Sequence, residues 1–412
     1  MVRPLKRHQR ATAVHGAIGP ATAPGSASFA GLLLAWFLLG LTVAPARPLL
    51  PVYVDAVLRR PPLFTSTLLA LQLAGGAAGA LAGGSIADAL GRKVALVLGS
   101  LSAPLAAALF LTRATWLMIG LSLALGVLSS VQTIGGQTYM MGAVRQVRLG
   151  SAAALFFIGS TLGTSLGNLL AGKALDRWGF SAVALAMLLT SALVLLGTAW
   201  LLPEPRREGA RAHAPLVATV AGYRRITRRR EVRLLVGLRL LPTCYWGVAT
   251  LLIPLLLYRA SGRPSTAAFY AGLSLALAAG CQLLTGRVAD RVGRRAPAAV
   301  LTALIAAAAV LTGLFAGSVA GLYLCGILGA CAAWSLSTLM PGLIKELAEP
   351  REEGRTLALT HLVWSSAMLA GTLAGGGLVA MGGALPFLLV GALNVPAVLM
   401  ALALPRPRLA VR

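Results

Sequence analysis

Charged positions cut this chain into long uninterrupted stretches. Runs free of Asp, Glu, Lys and Arg cover 11–46, 61–87, 94–112, 114–144, 149–172, 178–203, 240–258, 264–286, 296–344 and 356–405. The apolar part of each is about as long as the ~20 residues that cross a bilayer as a helix. Two runs are double length, and Gly317-Ser318 and Gly382-Gly383 supply turn signals inside them, so ten runs predict twelve helices. These lengths fit helices and not the ~10-residue alternating strands of a membrane barrel.

Composition agrees with that solvent. Only 11% of the 412 residues are charged and 58% are hydrophobic, against roughly 25% charged in soluble domains. Water cannot be the main solvent of such a chain, because there is too little polar surface to cover it. The expected organisation is an all-α membrane protein. A tail at 1–27 precedes a six-helix bundle at 28–202, a loop at 203–233, a second six-helix bundle at 234–404 and a tail at 405–412. The stretch from Pro215 to Arg233 mixes basic and apolar residues enough to form an interfacial helix.

The net charge of +25 invites a nucleic-acid reading, but its placement explains it otherwise. With both ends on one side, 27 of the 36 Lys and Arg fall in loops and tails of that side. Seven fall on the other, and Arg47 and Arg239 lie inside helices. This is a positive-inside pattern, with anionic lipid as the partner of the basic loops and no nucleic acid required. It predicts a multi-pass protein of a bacterial inner or plasma membrane with both termini cytoplasmic. The first 27 residues contain no apolar core of their own, so they read as a cytoplasmic tail and not as a signal peptide. Cys244, Cys281, Cys325 and Cys331 fall within spans without CxxC spacing, and His8, His15 and His213 sit in cytoplasmic segments. Neither a disulfide framework, a metal site nor a cofactor is indicated, and no convergent cluster of His, Cys or acids supports an enzyme.

The chain repeats itself. Gly84, Asp88, Gly91, Arg92 and Lys93 recur 202 residues later as Gly286, Asp290, Gly293, Arg294 and Arg295. Gly150, Gly167 and Gly172 recur 204 residues later as Gly354, Gly371 and Gly376. A duplicated unit of six spans starts each copy on the same side, so the repeats are parallel.

The run Gly84-Ser-Ile-Ala-Asp88-Ala-Leu-Gly91-Arg92-Lys93 after the second span, echoed by Gly286-Arg-Val-Ala-Asp290-Arg-Val-Gly293-Arg294-Arg295 after the eighth, resembles the loop motif of the major facilitator superfamily. The resemblance extends over roughly residues 28–405. It implies a fold of two six-helix halves around a central cavity lined by the first, fourth, seventh and tenth spans. At the end of a helix an acid is disfavoured by the macrodipole and Arg or Lys favoured, so Asp88 calls for a partner elsewhere. The resemblance implies that this partner is the start of the eleventh span near Gly354 to Thr356, with Asp290 facing the start of the fifth near Gly150 and Ser151. Such contacts would latch the cytoplasmic side shut. The plainer reading is a tight turn, for which Gly91 and Gly293 suffice.

Gly159, Gly163 and Gly167 stand on one face of the fifth span, a pattern for close helix packing. It is similar to the fifth-span motif of antiporters in this superfamily, but Thr164 stands in place of its proline and Asn168 in place of its second glycine.

All eleven acids fall at span ends or in loops. The fourth span has neither the acid nor the arginine that many cation exporters of the superfamily carry. The two cations inside spans differ in depth. Arg239, about seven residues into the seventh span, is within snorkelling reach of headgroups, whereas Arg47 lies in the outer third of the first span between Pro45 and Pro48. Arg47 either pairs with Asp55, snorkels outward or sets substrate charge, its planar donors suiting a carboxylate or phosphate. The resemblance adds Gln132, Tyr245, Trp246 and Trp334 as cavity candidates, while Gln72, Asn168, Gln282, Trp364, Gln137 and His361 complete the polar inventory of the spans. The expected function is a secondary transporter, monomeric, moving a small amphipathic molecule outward by alternating access, with a proton as the candidate coupling ion. Uptake or facilitated diffusion of a neutral or anionic solute is the rival, and a sensor or scaffold that does not transport is the alternative from another class.

Overall fold

The computed structural model describes residues 26–143, 149–203, 226–349 and 353–405, with only the backbone course given at 26–28, 81–85, 87–89, 141–143, 149–154, 201, 353–355 and 358. The predicted interfacial helix from Pro215 and most of the 203–233 loop lie outside these residues, as do the two tails.

The first span is broken in two, α1 (Ser26–Val43) and α2 (Ala46–Ala56). Prolines 45, 48 and 51 withdraw successive backbone donors there. Then follow α3 (Pro62–Ala89), α4 (Arg92–Ser100), α5 (Ser102–Ala108), α6 (Thr115–Ala143) and α7 (Leu149–Leu201). The second half comprises α8 (Arg230–Ser261), α9 (Pro264–Val292), α10 (Arg295–Leu314), α11 (Val319–Leu347), α12 (Glu353–Leu378) and α13 (Leu385–Leu402). The expected twelve passes are all present. The third pass is made by α4 and α5 together, interrupted at Leu101. The fifth and sixth are the two limbs of α7, which folds back at Gly179 with φ 75°. The charge-free runs end at 172 and resume at 178, which puts the turn at Lys173–Arg177; the helix instead continues through the charged residues to Gly179, which adopts positive φ.

Local signals set the other ends. Pro62 and Pro264 open α3 and α9, where a missing N–H costs nothing. Gly262 closes α8 in the left-handed conformation, its N–H donating to Tyr258 O. Ser318 caps α11 through its hydroxyl, which accepts from Gly321 N at 3.2 Å. The two motif glycines, Gly91 and Gly293, have φ 114° and 80° with extended ψ, so both repeats make the same turn at the same place. That turn lies on the face where α1 begins, called here the basic face; the other is the opposite face.

Span-to-span packing repeats with the sequence. A methyl added to Gly167 would stand 2.8 Å from Leu41 C, and one added to Gly371 would stand 3.0 Å from Cys244 C. Leu41 and Cys244 are repeat equivalents, 203 residues apart, so the fifth span crosses the first as the eleventh crosses the seventh. Leu41 O lacks the usual helical donor because Pro45 has no N–H, and the bare Gly167 backbone approaches that freed carbonyl. The seventh span is the structural centre: 72% of its apolar window is buried, against at most 44% in the other helices long enough to span on their own.

Candidate functional site

Packed helices and a few polar contacts join the halves, and the polar contacts share one side of the molecule. Among the described residues, the hydrogen bonds, ion pairs and close glycine contacts between halves all lie from mid-depth to the opposite face. Ser165 Oγ donates to Gly272 O at 2.8 Å. Gly172 of α7 abuts Ala268 and Phe269 of α9, and Gly376 of α12 abuts Ser66 and Pro62 of α3. Ser66 and Ala268 are again repeat equivalents, so the glycines repeated at +204 are the points where one half docks on the other.

Charge reinforces the same closure. Arg259 grips Asp55 with two hydrogen bonds of 2.5 and 3.2 Å, joining the ends of the first and seventh spans. Asp176 accepts from the backbone N of Ser265 at 3.3 Å and from its hydroxyl. A carboxylate from one half thereby satisfies the free N–H groups at the N-terminus of α9 in the other. The sequence reading expected a carboxylate-to-helix-start latch on the basic face. The arrangement seen joins the opposite face and uses a different acid. Asp290 is exposed, with no hydrogen bond or ion pair to a described residue, and the Asp88 side chain lies outside the description. Arg294 pairs with Glu346 and Arg295 donates to Leu402 O, so two motif cations brace the tenth and twelfth spans within their own half.

Closure on one face leaves a cavity toward the other. Three adjoining chambers of about 270, 520 and 160 Å³ lie between the halves, and Arg47 lines all three. The first is walled by Arg239, His361, Ser337, Trp246, Trp334 and Trp364 among others, and the second by Gln72, Ser129, Ser130 and His361. The third adds Asn168, Tyr270 and Ser274. These are dimensions for a small organic molecule. No Asp or Glu lines any chamber among the described residues.

The candidates sort unevenly. Arg47, Trp246 and Trp334 face the cavity; the two indoles meet edge-on with centroids 6.1 Å apart. Tyr245 does not: it is fully buried, with its ring against Gly329 of α11, where only a glycine leaves room. Gln132 also turns away, its Oε1 accepting from Ser102 Oγ at 2.8 Å in the third span. Gly163 and Gly167 press on the first-span backbone, but Gly159 meets it only at ordinary contact distance, 3.8 Å from Leu33 O. Asp55 belongs to Arg259, which removes it as the partner of Arg47. Arg239 lies in the wall of the first chamber; its Nη1 donates to Ser337 Oγ at 2.8 Å, and its guanidinium lies 6.0 Å from the Trp364 ring centroid.

Cavity residues outside the candidate set include Gln72, Asn168, Ser129, Ser130, Ser274, Ser337, His361 and Trp364. Four of these, Gln72, Asn168, His361 and Trp364, are in the polar inventory of the spans. The serines are not, because a Ser inside a helix commonly bonds its own backbone and carries no cavity signal. Among the described residues no three His, Cys, Asp or Glu come together as metal ligands.

Known structures share this architecture. A POT family transporter in complex with a thioalcohol-conjugated peptide superposes with TM-score 0.75 at 14% identity, covering 91% of this chain and 95% of that one. The nucleoside transporter NupG gives 0.76 at 13%, covering 92% and 100%. An inward-facing, unoccupied bacterial homologue of the human lysosomal transporter Spinster gives 0.67 at 13%, covering 94% and 98%. At such identities the likeness shows the fold and carries no cargo. A search of curated protein sequences found no match. The sequence model of one family spans both repeats, over residues 32–340 and 254–411. With its duplicated motif turn, its paired glycine crossings and its cavity between two six-helix halves, this multi-pass membrane chain belongs to the Major Facilitator Superfamily.

Proposed function

We propose that this chain is a secondary transporter that exports a small amphipathic solute by alternating access, with its basic face and both termini in the cytoplasm. One observation carries the reading: among the described residues the polar contacts between the halves gather at the opposite face, while an aromatic cavity reaches from Arg47 toward the basic face. Two halves docked at one face can rock about the central site. A cavity that reaches toward the proposed cytoplasmic face and is walled by tryptophans suits loading of an amphipathic solute from inside. Uptake or facilitated diffusion of an anionic or neutral solute is the second reading, favoured by two arginines and the lack of a carboxylate in the cavity.

The test is flux in proteoliposomes of purified chain, with cationic, neutral and anionic solutes and with and without a pH gradient. Proton-coupled outward movement supports export, downhill movement alone supports facilitated diffusion, and no flux of any solute leaves the sensor or scaffold. In the same vesicles, Asp88→Asn and Asp290→Asn should leave abundance near normal while slowing flux several-fold. Each carboxylate is proposed to latch the basic face in the alternate state, and a carboxylate at a helix N-terminus is worth about 0.3–2 kcal/mol. Wild-type flux in both variants would reduce the motif to its glycine turns.

Topology has its own check. Single cysteines placed at Ser26 and at Ala403 of a cysteine-free variant should resist an impermeant maleimide in intact cells, and one at Ser261 should react. Labelling of either terminal position would invert the assignment.

A further inference from the structure

We propose that the cavity binds an organic anion with a flat aromatic body, its anionic group on Arg47 and its ring against the Trp246–Trp334 pair. This rests on the reading of the cavity as a substrate site and names the class of substrate.

Arg47 has the features of a ligand anchor. It is exposed to the cavity, lines all three chambers and makes no hydrogen bond or ion pair with a described residue. The acid best placed to neutralise it, Asp55, is held by Arg259. Arg47 is also the second residue of α2, at a helix start, where the macrodipole disfavours a cation. Helix stability therefore does not account for it, and the dipole adds to the attraction it offers an anion. In a low-dielectric cavity an uncompensated guanidinium is costly, and a bound carboxylate, phosphate or sulfonate relieves that cost through paired charge-assisted hydrogen bonds.

The other cation is differently placed. Arg239 is engaged by Ser337 and Trp364, so it contributes positive field at the cytoplasmic mouth and leaves the direct contact to Arg47. Trp246 and Trp334 share the first and third chambers with Arg47. Gln282 Nε2 donates to Trp334 O at 3.3 Å, tying that helix to the eighth span. A fixed edge-to-face pair offers an apolar plane beside a planar donor, a combination that selects a flat acid over an aliphatic one.

Three probes sharing one ring system separate charge from shape: 2-naphthoate, 2-naphthamide and 2-naphthylmethylammonium. Binding to the purified full chain in detergent is measured by calorimetry. Naphthoate is expected to bind at least about tenfold more tightly than the amide, with the ammonium weakest. Arg47→Gln should abolish the preference for naphthoate while leaving amide binding within about twofold, and Arg47→Lys should keep part of it. Arg239→Gln should weaken naphthoate only a few-fold. Elution of each variant at the wild-type position guards against misfolding. Equal or tighter ammonium binding, an unchanged naphthoate-to-amide ratio in folded Arg47→Gln, or no naphthoate binding at millimolar concentration would each overturn the proposal. Naphthoate binding without flux in proteoliposomes would remove transport and keep the binding inference. Flux of ammonium without naphthoate would do the reverse.

Discussion

Gly167→Ala is expected to destabilise the bundle by about 1–3 kcal/mol, whereas Gly159→Ala, two turns away on the same helix face, should be neutral or slightly stabilising. The contrast comes from what the added methyl meets. At Gly167 it would fall on the Leu41 carbonyl and 2.9 Å from Leu41 Cα, main-chain atoms that cannot rotate aside. At Gly159 the nearest atom is 3.8 Å away, so only the gain in helix propensity remains. Gly163→Ala should resemble Gly167→Ala, since its methyl would meet the Phe37 carbonyl carbon at 3.0 Å. The repeat extends the test: Gly371→Ala should behave as Gly167→Ala does, through Cys244. Thermal unfolding and the monodisperse fraction in detergent report the effect, and Gly167→Leu should leave little folded protein. Equal stability of Gly167→Ala and Gly159→Ala would refute the close crossing.

A second large effect is expected at the opposite face. Asp176→Asn combined with Asp55→Asn should move the conformational equilibrium roughly tenfold toward the state open to that face. The Asp55–Arg259 pair is partly exposed, with side-chain accessibilities of 22% and 42%, and contributes at most about 1 kcal/mol. Asp176 at the start of α9 contributes about 0.5–2 kcal/mol as a helix cap. Both contacts exist only while that face is closed, so their full strength acts on the equilibrium between states. Spin labels at Val57 and Ser261 should give one short distance in the wild type and an added longer population in the double variant. Exchanging the pair, Asp55→Arg with Arg259→Asp, should restore the short distance. An unchanged distribution in Asp176→Asn/Asp55→Asn would show that apolar packing alone closes the face.

Much of this architecture is written in one dimension. Span number follows from charge-free runs because an unpaired charge is costly in lipid. The gathering of basic loops on one face follows from the skewed arginines, and duplication from residues recurring at fixed offsets. The glycines at 91 and 293 announced turns that the structure makes with positive φ, and Arg47 was visible as a cation too deep to ignore. Rotation about each helix axis was not legible. In a soluble helix the apolar face marks the core, but here lipid and neighbouring helices are both apolar and that periodic signal vanishes. Hence Gln132 and Tyr245 were expected in the cavity and turn out to face the third and tenth spans, while His361, Trp364 and Gln72 turn inward. Pairing across the halves was equally hidden. Asp55 finds Arg259 across 204 residues and Asp176 finds Ser265 across 89, because docking of one bundle on the other sets those distances. The sequence by itself determined that two like bundles of six spans would form with their basic loops on one side. The tertiary structure decided which side chains share the space between them, because that depends on helix rotation and on which end of the interface is closed.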